Sequence, residues 1–224
     1  MSRIPYLKSW CKRCHVIIYA LLLCVGIFSA MPLQAAQSTT VLIVGDSLSA
    51  AYGLNEEQGW VSLLAQELQE TEPALRLINA SVGGDTTDDG VQRLPKALAQ
   101  YKPDWVILEL GANDGLRGLP LALIKNNLQT LIDRVHDANA KVLLIGMQIP
   151  PNYGRRYADG FANIYAELAA QNDIALHPFL FEGFAEDPTY FQEDGIHPNA
   201  LGQQRVAEQL KRTLAKVGLI PATD

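Results

Sequence analysis

Short apolar runs alternate with longer amphipathic stretches along the chain from residue 40 onward. Short runs bounded by glycine, proline or polar residues are typical of buried strands, whereas apolar residues that recur every three to four positions are typical of helices. The predicted strands are 40–44, 75–78, 105–110, 141–146 and 174–177. The predicted helices are 60–70, 90–100, 121–138, 160–171 and 200–217.

This alternation of strand and helix indicates the fold class. Parallel strands need long crossover connections, usually helices, which then cover both faces of the sheet. The pattern therefore predicts an α/β protein with a five-stranded parallel sheet in a three-layer α/β/α arrangement of flavodoxin-like type. No repeat or proline-rich linker divides residues 37–224, so we expect a single domain there.

Several polar stretches follow the predicted strands and should meet at one edge of the sheet. Carboxyl ends of parallel strands share an edge, and ligands of open α/β sheets bind there. The segments placed at this edge by their position in the sequence are 45–54, 80–89, 111–120, 149–160 and 178–198.

The first 36 residues differ in character from the rest of the chain. An apolar run of 15 residues, 16–30, follows a segment whose charged side chains are all basic: Arg3, Lys8, Lys12 and Arg13. This layout is typical of a secretory signal, and the run is shorter than the ~20 residues of a spanning helix. We expect cleavage near Ala36, no stable membrane span afterwards, and a periplasmic or secreted mature protein.

The charge and cysteine content of the remaining chain exclude several functions. Loss of residues 1–36 removes four of the 18 basic side chains and none of the 24 acidic ones, which leaves a formal net charge of −10. Such a chain has no general attraction for nucleic acid or anionic lipid heads. Since Cys11, Cys14 and Cys24 all lie in the leader, we expect no disulfide and no thiol nucleophile.

Two edge segments carry residues that suggest acyl-transfer chemistry. The first predicted strand runs directly into Gly45-Asp46-Ser47, where a hydroxyl is a nucleophile, a phosphate contact or a helix cap. The last segment carries Asp194 three residues before His197, so the carboxylate can orient the imidazole and leave one nitrogen free to accept a proton. Alone, such a pair is more often structural. A serine expected at the same edge favours catalysis.

A serine nucleophile also needs hydrogen-bond donors for the tetrahedral oxyanion. The candidates are the backbone N–H of Ser47, an N–H of the Gly83-Gly84 pair and the side-chain amide of Asn113. Glycine lets the backbone approach closely because it has no Cβ. The adjacent glycines leave open which N–H faces the oxyanion.

These motifs resemble those of the SGNH (GDSL) hydrolase family, in particular its bacterial thioesterase I, arylesterase and lysophospholipase branch. The matching blocks, in the family's order, are Gly45-Asp46-Ser47-Leu48-Ser49, Gly83-Gly84-Asp85-Thr86, Gly111-Ala112-Asn113-Asp114 and Asp194-Gly195-Ile196-His197-Pro198-Asn199. Segments 113–118 and 151–157 are similar to the thioesterase I branch. The resemblance implies Ser47 as nucleophile, His197 as general base, Asp194 as its orienting residue, and an oxyanion hole of Ser47, Gly84 and Asn113.

The resemblance also implies an esterase that works through an acyl-Ser47 intermediate. Its substrates would be acyl esters and thioesters, aryl esters or lysophospholipids, and we expect no cofactor, no metal, no nucleic-acid partner and a monomer. Apolar edge residues are candidates for an acyl groove, although core packing explains each nearly as well. These residues are Leu48, Leu116, Leu119, Ile149 and Phe161.

Two alternatives stay open at this point. A carbohydrate O-acetylesterase would use the same machinery with a smaller and more polar pocket. A flavodoxin-like binding module would use the turn at 45–49 to hold phosphate or a flavin, without cleaving esters. Structural or solvent-facing roles are expected for the other polar residues near the edge or on helices, namely Asp46, Asp85, Asp114, His136, Arg155, Arg156 and His177.

Overall fold

The computed structural model describes residues 38–222. The predicted leader lies outside these residues, so its cleavage and the single-domain boundary stay predictions. Within residues 38–222, no helix has both the length and the apolar character needed to cross a membrane.

Five strands alternate with the longer helices in the described part of the chain. The strands are β1 (Thr39–Gly45), β2 (Leu75–Asn79), β3 (Trp105–Glu109), β4 (Lys141–Ile145) and β5 (Ala175–His177). The helices are α1 (Trp60–Thr71), α2 (Thr87–Tyr101), α3 (Ala112–Leu116), α4 (Leu121–Asp137), α5 (Arg155–Asn172) and α6 (Ala200–Lys216). Short 3-10 turns lie at Glu56–Gln58, Pro151–Tyr153 and Pro188–Tyr190.

The sheet is parallel throughout, with the strand order β2-β1-β3-β4-β5. From β1 the chain first builds β2 on one side and then crosses to build β3 on the other. The loops after β1 and β3 therefore leave the sheet in opposite directions and open a crevice between them, which is where this class of fold binds ligands. The predicted fold class is confirmed.

The central strands are apolar because both faces of the sheet are covered. Val41–Val44 and Val106–Leu108 are fully buried, which explains why β1 and β3 read as continuous apolar runs rather than as alternating patterns. Helices α1 and α6 pack against each other, and α4 packs against both α2 and α5. These two groups form the outer layers.

Two predicted helix starts needed correction, and one short helix was missed. Helix α2 begins at Thr87 rather than at 90, because Thr86 and Asp89 form a reciprocal cap in which each side chain bonds the other residue's backbone N–H. Helix α5 begins at Arg155 rather than at 160, and its exposed first turn lacks the apolar spacing that the prediction relied on. Helix α3 lies inside a predicted loop, since five residues are too few to show a helical period.

Candidate active site

Ser47 lies in a tight turn directly after β1, at the crevice. The turn is closed by hydrogen bonds from the Ala50 N–H to the Asp46 carbonyl, 3.0 Å, and from the Tyr52 N–H to the Ser47 carbonyl, 3.2 Å. Gly45 lets the turn pack closely against Glu109, because a Cβ at position 45 would lie only 2.6 Å from Oε2 of Glu109. The turn therefore rests directly on the end of β3.

A buried carboxyl group supports this turn from below. Oε2 of Glu109 accepts hydrogen bonds from the Ser49 hydroxyl, 2.7 Å, and from the Asp46 N–H, 3.3 Å. Trp60 Nε1 in turn donates to Ser49 Oγ at 3.2 Å. Burial, together with the nearby Asp46 carboxyl, raises the pKa of Glu109 well above its ordinary value. The raised pKa favours the neutral acid form of Glu109, whose Oε2 accepts both hydrogen bonds.

His197 reaches the serine from the loop before α6. Its Nε2 lies 2.9 Å from Ser47 Oγ, and its Nδ1 lies 2.7 Å from Asp194 Oδ2. Because a carboxylate can only accept, Nδ1 carries the proton and the lone pair of Nε2 faces the serine hydroxyl. The structure thus brings together the three residues that the sequence predicted as a triad.

Asp194 is held by the chain immediately after it. Its Oδ1 accepts the backbone N–H groups of Ile196 and His197, each at 2.9 Å. Partial desolvation acts to raise the pKa of Asp194, but the hydrogen bonds from His197 and Ile196 keep it below its ordinary value. The carboxylate therefore stays charged beside the imidazole.

Two residues outside the predicted set connect the serine and histidine loops. The Tyr52 ring lies against the His197 ring, with centroids 4.3 Å apart and planes tilted by 34°. The Gln192 amide donates to the carbonyls of Tyr52, 2.7 Å, and Pro198, 3.1 Å. Gln192 thus joins the loop of the nucleophile to that of the base. Nothing in the local sequence indicates this role, since it depends on a contact over 140 positions.

The three predicted oxyanion donors are the N–H groups of Ser47 and Gly84 and the side-chain amide of Asn113. Among residues 38–222, the N–H groups of Ser47 and Gly84 have no hydrogen-bond acceptor. Gly84 has φ of +84°, a left-handed conformation that favours glycine, and a Cβ added at its neighbour Gly83 would lie 3.9 Å from the Cβ of Ser47. The Asn113 amide reaches the crevice from α3, where its Nδ2 lies 3.0 Å from both Asp46 Oδ2 and the Asp85 carbonyl.

An apolar cavity of about 320 Å³ adjoins the serine turn. Leu48, Leu116 and Ile149 line it, as predicted, but Leu119 and Phe161 do not. Phe161 is fully buried in the core against Tyr165, and Leu119 packs against the core from outside. Sequence reasoning missed the remaining lining, which comes from segments distant in the chain: Ala112, Met147, Gln148, Pro150, Pro151, Phe179, Phe181, Ala185, Glu186, Phe191, Gly195 and Ile196.

The other polar residues near the crevice have identifiable structural contacts. Asp85 pairs with Arg93, and Asp114 accepts hydrogen bonds from the Thr87 N–H and hydroxyl at 2.9 and 2.6 Å. His177 is buried, and its Nδ1 lies 2.8 Å from Thr213 Oγ1, away from the serine. Burial lowers the pKa of His177, which therefore stays neutral.

The remaining predicted surface residues are exposed, namely His136, Arg155 and Arg156. Among residues 38–222, no group of three or more His, Cys, Asp and Glu side chains is arranged to hold a metal ion.

Comparison with known proteins places this site in a family. The sequence profile of the GDSL-like lipase/acylhydrolase family matches residues 43–205, from the first strand into the last helix. The chain belongs to this family. Its predicted resemblance to SGNH (GDSL) hydrolases is confirmed, and so is the predicted class of enzyme, an ester hydrolase.

Individual GDSL proteins are similar over most of their length. Esterase TesA of Pseudomonas aeruginosa is 46% identical over 181 residues, which cover 81% of this chain and 90% of the relative. Thioesterase 1/protease 1/lysophospholipase L1 of Escherichia coli is 41% identical, covering 81% and 86%. The structure of the psychrotrophic esterase EstA from Pseudoalteromonas sp., inhibited by monoethylphosphonate, has a TM-score of 0.78 at 38% identity and covers 81% of this chain and all of that one.

Proposed function

We propose that this protein hydrolyses acyl esters and thioesters through an acyl-enzyme formed on Ser47, with His197 as general base and Asp194 as its orienting residue. The observation that carries the proposal is the continuous relay from Ser47 Oγ to His197 Nε2, 2.9 Å, and from His197 Nδ1 to Asp194, 2.7 Å. A serine hydroxyl becomes an effective nucleophile only when a base so oriented removes its proton.

In the acylation step, Ser47 Oγ attacks the substrate carbonyl carbon while His197 Nε2 takes the hydroxyl proton. The carbonyl oxygen becomes an oxyanion, which the N–H groups of Ser47 and Gly84 and the amide of Asn113 stabilise. As the tetrahedral intermediate collapses, the bond to the leaving oxygen or sulfur breaks, and His197 donates its proton to that atom. The product is acyl-Ser47 and a free alcohol or thiol.

In the deacylation step, water occupies the place of the departed group. His197 removes a proton from the water as its oxygen attacks the acyl carbon, and the same donors stabilise the second oxyanion. Collapse then breaks the ester bond and returns the proton to Ser47 Oγ. The released product is a carboxylic acid.

The cavity supports acyl chains as substrates. Its walls are formed mainly by aliphatic and aromatic side chains, and Leu48, next to the nucleophile, is one of them. A volume of about 320 Å³ lies at the lower end of the range for small-molecule sites. We propose medium to long acyl esters, thioesters and lysophospholipids as the substrate class, in line with the names of the relatives. The apolar walls do not favour an acetylated sugar.

The binding-module alternative finds no support in the site. A phosphate site at the turn requires the free N–H groups, but phosphate binding does not need a serine hydroxyl that is hydrogen-bonded to an oriented imidazole.

We further propose that the enzyme works after export, with the leader of residues 1–36 removed. The exact mass of protein recovered from a periplasmic extract tests this, and the full-length mass there would contradict it.

Hydrolysis of p-nitrophenyl esters from acetyl to palmitoyl by residues 37–224 tests the proposed reaction. We expect activity that rises beyond acetyl, and loss of that activity in Ser47→Ala. A fluorophosphonate should add one phosphonyl group to Ser47, detected by peptide mass spectrometry. Ser81→Ala is a matched control, because its hydroxyl has no hydrogen-bond partner in the described structure, and it should retain wild-type activity. An active Ser47→Ala would refute the nucleophile, and activity confined to acetyl esters would favour the O-acetylesterase.

A further inference from the structure

The backbone on either side of Tyr52 has an unusual conformation. Ala51 has φ of +57° and Gly53 has φ of +75°, so Tyr52 lies between two left-handed residues. This conformation is unfavourable for alanine, and such strain persists only where the surrounding structure fixes it. The Tyr52 N–H donates to the Ser47 carbonyl at 3.2 Å, and its carbonyl accepts from the Gln192 amide at 2.7 Å. The fold therefore fixes the point from which the Tyr52 side chain leaves the backbone.

The Tyr52 side chain lies against the histidine of the triad and not in the protein interior. Tyr52 is 56% exposed, and its ring centroid is 4.3 Å from that of His197, with the planes tilted by 34°. Both imidazole nitrogens are already engaged, Nδ1 with Asp194 and Nε2 with Ser47. The Tyr52 hydroxyl therefore has no free nitrogen to bond, and the contact with His197 is made by the aromatic ring.

A contact with an aromatic ring favours the charged form of the imidazole. The face of such a ring carries partial negative charge, and a cation within about 6 Å of the ring centroid is attracted to it. During catalysis His197 becomes a cation when it takes the serine proton. The Asp194 carboxylate also stabilises this cation, but its side chain is 38% exposed, and water weakens the attraction. An interaction that is stronger in the transition state than in the resting enzyme lowers the barrier.

We propose that Tyr52 is a positioning residue that stabilises the imidazolium form of His197: its ring covers the imidazole while the proton of Ser47 is held there. This role rests on the proposed function of the site. The left-handed Ala51 then belongs to the catalytic arrangement, because it helps to set the direction in which Tyr52 leaves the serine turn.

Other groups that face the imidazole also titrate or carry charge. They are Asp194 from the same loop, and Asp46 and Tyr52 itself from the nucleophile turn. Burial raises the pKa of Asp46 to about 6, so Asp46 titrates in the acid range in the wild type and in Tyr52 variants alike. The difference between the two pH profiles, and not the shape of either one, therefore reports on Tyr52.

The pH dependence of kcat/KM for Tyr52→Leu tests the role of the ring, with the p-nitrophenyl ester that the wild type cleaves fastest. We expect kcat/KM to fall about threefold on the plateau and the acid limb to move about half a pH unit lower. The ring stabilises the protonated resting enzyme as well as the transition state, so the two profiles should converge in acid. A merely structural role would lower kcat/KM by the same factor at every pH, and that result would overturn the proposal.

Two aromatic replacements separate the charge of the ring from its shape. Tyr52→Phe keeps the ring and should retain the wild-type profile. Replacement of Tyr52 by pentafluorophenylalanine, introduced by nonsense suppression, keeps nearly the same shape but reverses the charge on the ring face. Its acid limb should therefore move at least as far as that of Tyr52→Leu. Identical profiles for the two aromatic variants would overturn the proposal, and this pair decides if Tyr52→Leu does not fold.

Tyr153→Leu is the matched control for these variants. Tyr153 is another exposed tyrosine, 39% exposed, but it belongs to the 3-10 turn Pro151–Tyr153 and to neither catalytic loop. Its removal should leave the pH profile unchanged. Because each value is a ratio to active wild-type enzyme, failure of the Tyr52 proposal leaves the proposed function intact, whereas an inactive wild type would refute the function itself.

Discussion

The two loops that meet at the active site are held in place by different kinds of contact. The nucleophile turn lies over a buried network in which Glu109, Ser49 and Trp60 support it, and each of these contacts joins residues at least 11 positions apart. In the histidine loop, Asp194 is held by contacts within three residues, from its carboxylate to the Ile196 and His197 N–H groups, and Gln192 joins this loop to the nucleophile turn. The orientation of the nucleophile thus depends on the protein interior, whereas that of the base depends on a local turn.

The residues beneath Ser47 and those of the histidine loop also differ in solvent exposure. Asp46 and Glu109 beneath the serine are fully buried, whereas the Asp194 side chain is 38% exposed and that of His197 18%. Changes in the histidine loop should therefore alter catalysis with little loss of stability, and changes beneath the serine should alter both. Three substitutions test this difference, in order of decreasing effect on the enzyme.

The first substitution, Asp194→Asn, addresses the local turn. The amide oxygen can still accept the Ile196 and His197 N–H groups, but the side chain no longer stabilises a proton on Nδ1 of His197. We expect kcat to fall by about 10³–10⁴-fold, as the imidazole loses its productive tautomer. The melting temperature should stay near that of the wild type, because the group is exposed.

Asp187→Asn is the matched control for this experiment. Asp187 accepts the Thr189 N–H in a similar exposed turn without touching the imidazole, so kcat should not change. A large drop in melting temperature for Asp194→Asn would show that the histidine loop also depends on this carboxylate for its stability, contrary to the comparison.

The second substitution, Gln192→Glu, addresses the link between the two loops. A carboxylate has nearly the same shape but cannot donate to the carbonyls of Tyr52 and Pro198, so the loops should separate slightly. We expect kcat to fall by about 10-fold, since misplacement of catalytic groups by about 1 Å can cost up to 10²-fold. KM for short esters should change little. Gln171→Glu, an exposed change on α5, is the control and should leave kcat unchanged. An unchanged kcat in Gln192→Glu would show that the two loops keep their positions without this link.

The third substitution, Glu109→Gln, addresses the interior beneath the serine. Since the raised pKa of Glu109 keeps it protonated in the native state while the unfolded chain ionises above about 4.5, native stability falls as pH rises above that value. The loss is at most ~1.4 kcal/mol per pH unit. Glu109→Gln removes this proton uptake, so its stability relative to the wild type should increase between about pH 5 and 8. Urea unfolding at both pH values measures the free energy of unfolding of the variant and of the wild type. If the difference between the two proteins is the same at both pH values, Glu109 does not take up a proton on folding.

The principal elements and the candidate triad could be predicted from the sequence because their signals are local. Apolar runs defined β1 and β3, and their continuity indicated strands buried on both faces. The Asp194 and His197 pair is a contact within three residues, so spacing alone suggested it. Helix α3 escaped detection because five residues carry no measurable period. Most of the cavity lining beyond Leu48, Leu116 and Ile149 also escaped detection, because the walls combine segments 48, 112–116, 147–151 and 179–196.

Local chemistry therefore set the strand and helix pattern and the pairing of Asp194 with His197. These features depend on neighbours along the chain, where residue type and spacing carry the physical information. The partners of buried polar groups depended on folding instead. Glu109 beneath the turn, Asp46 on the Asn113 amide and Gln192 between the loops join positions 63, 67 and 140 residues apart. A buried donor must find an acceptor, but packing in three dimensions decides which one it meets.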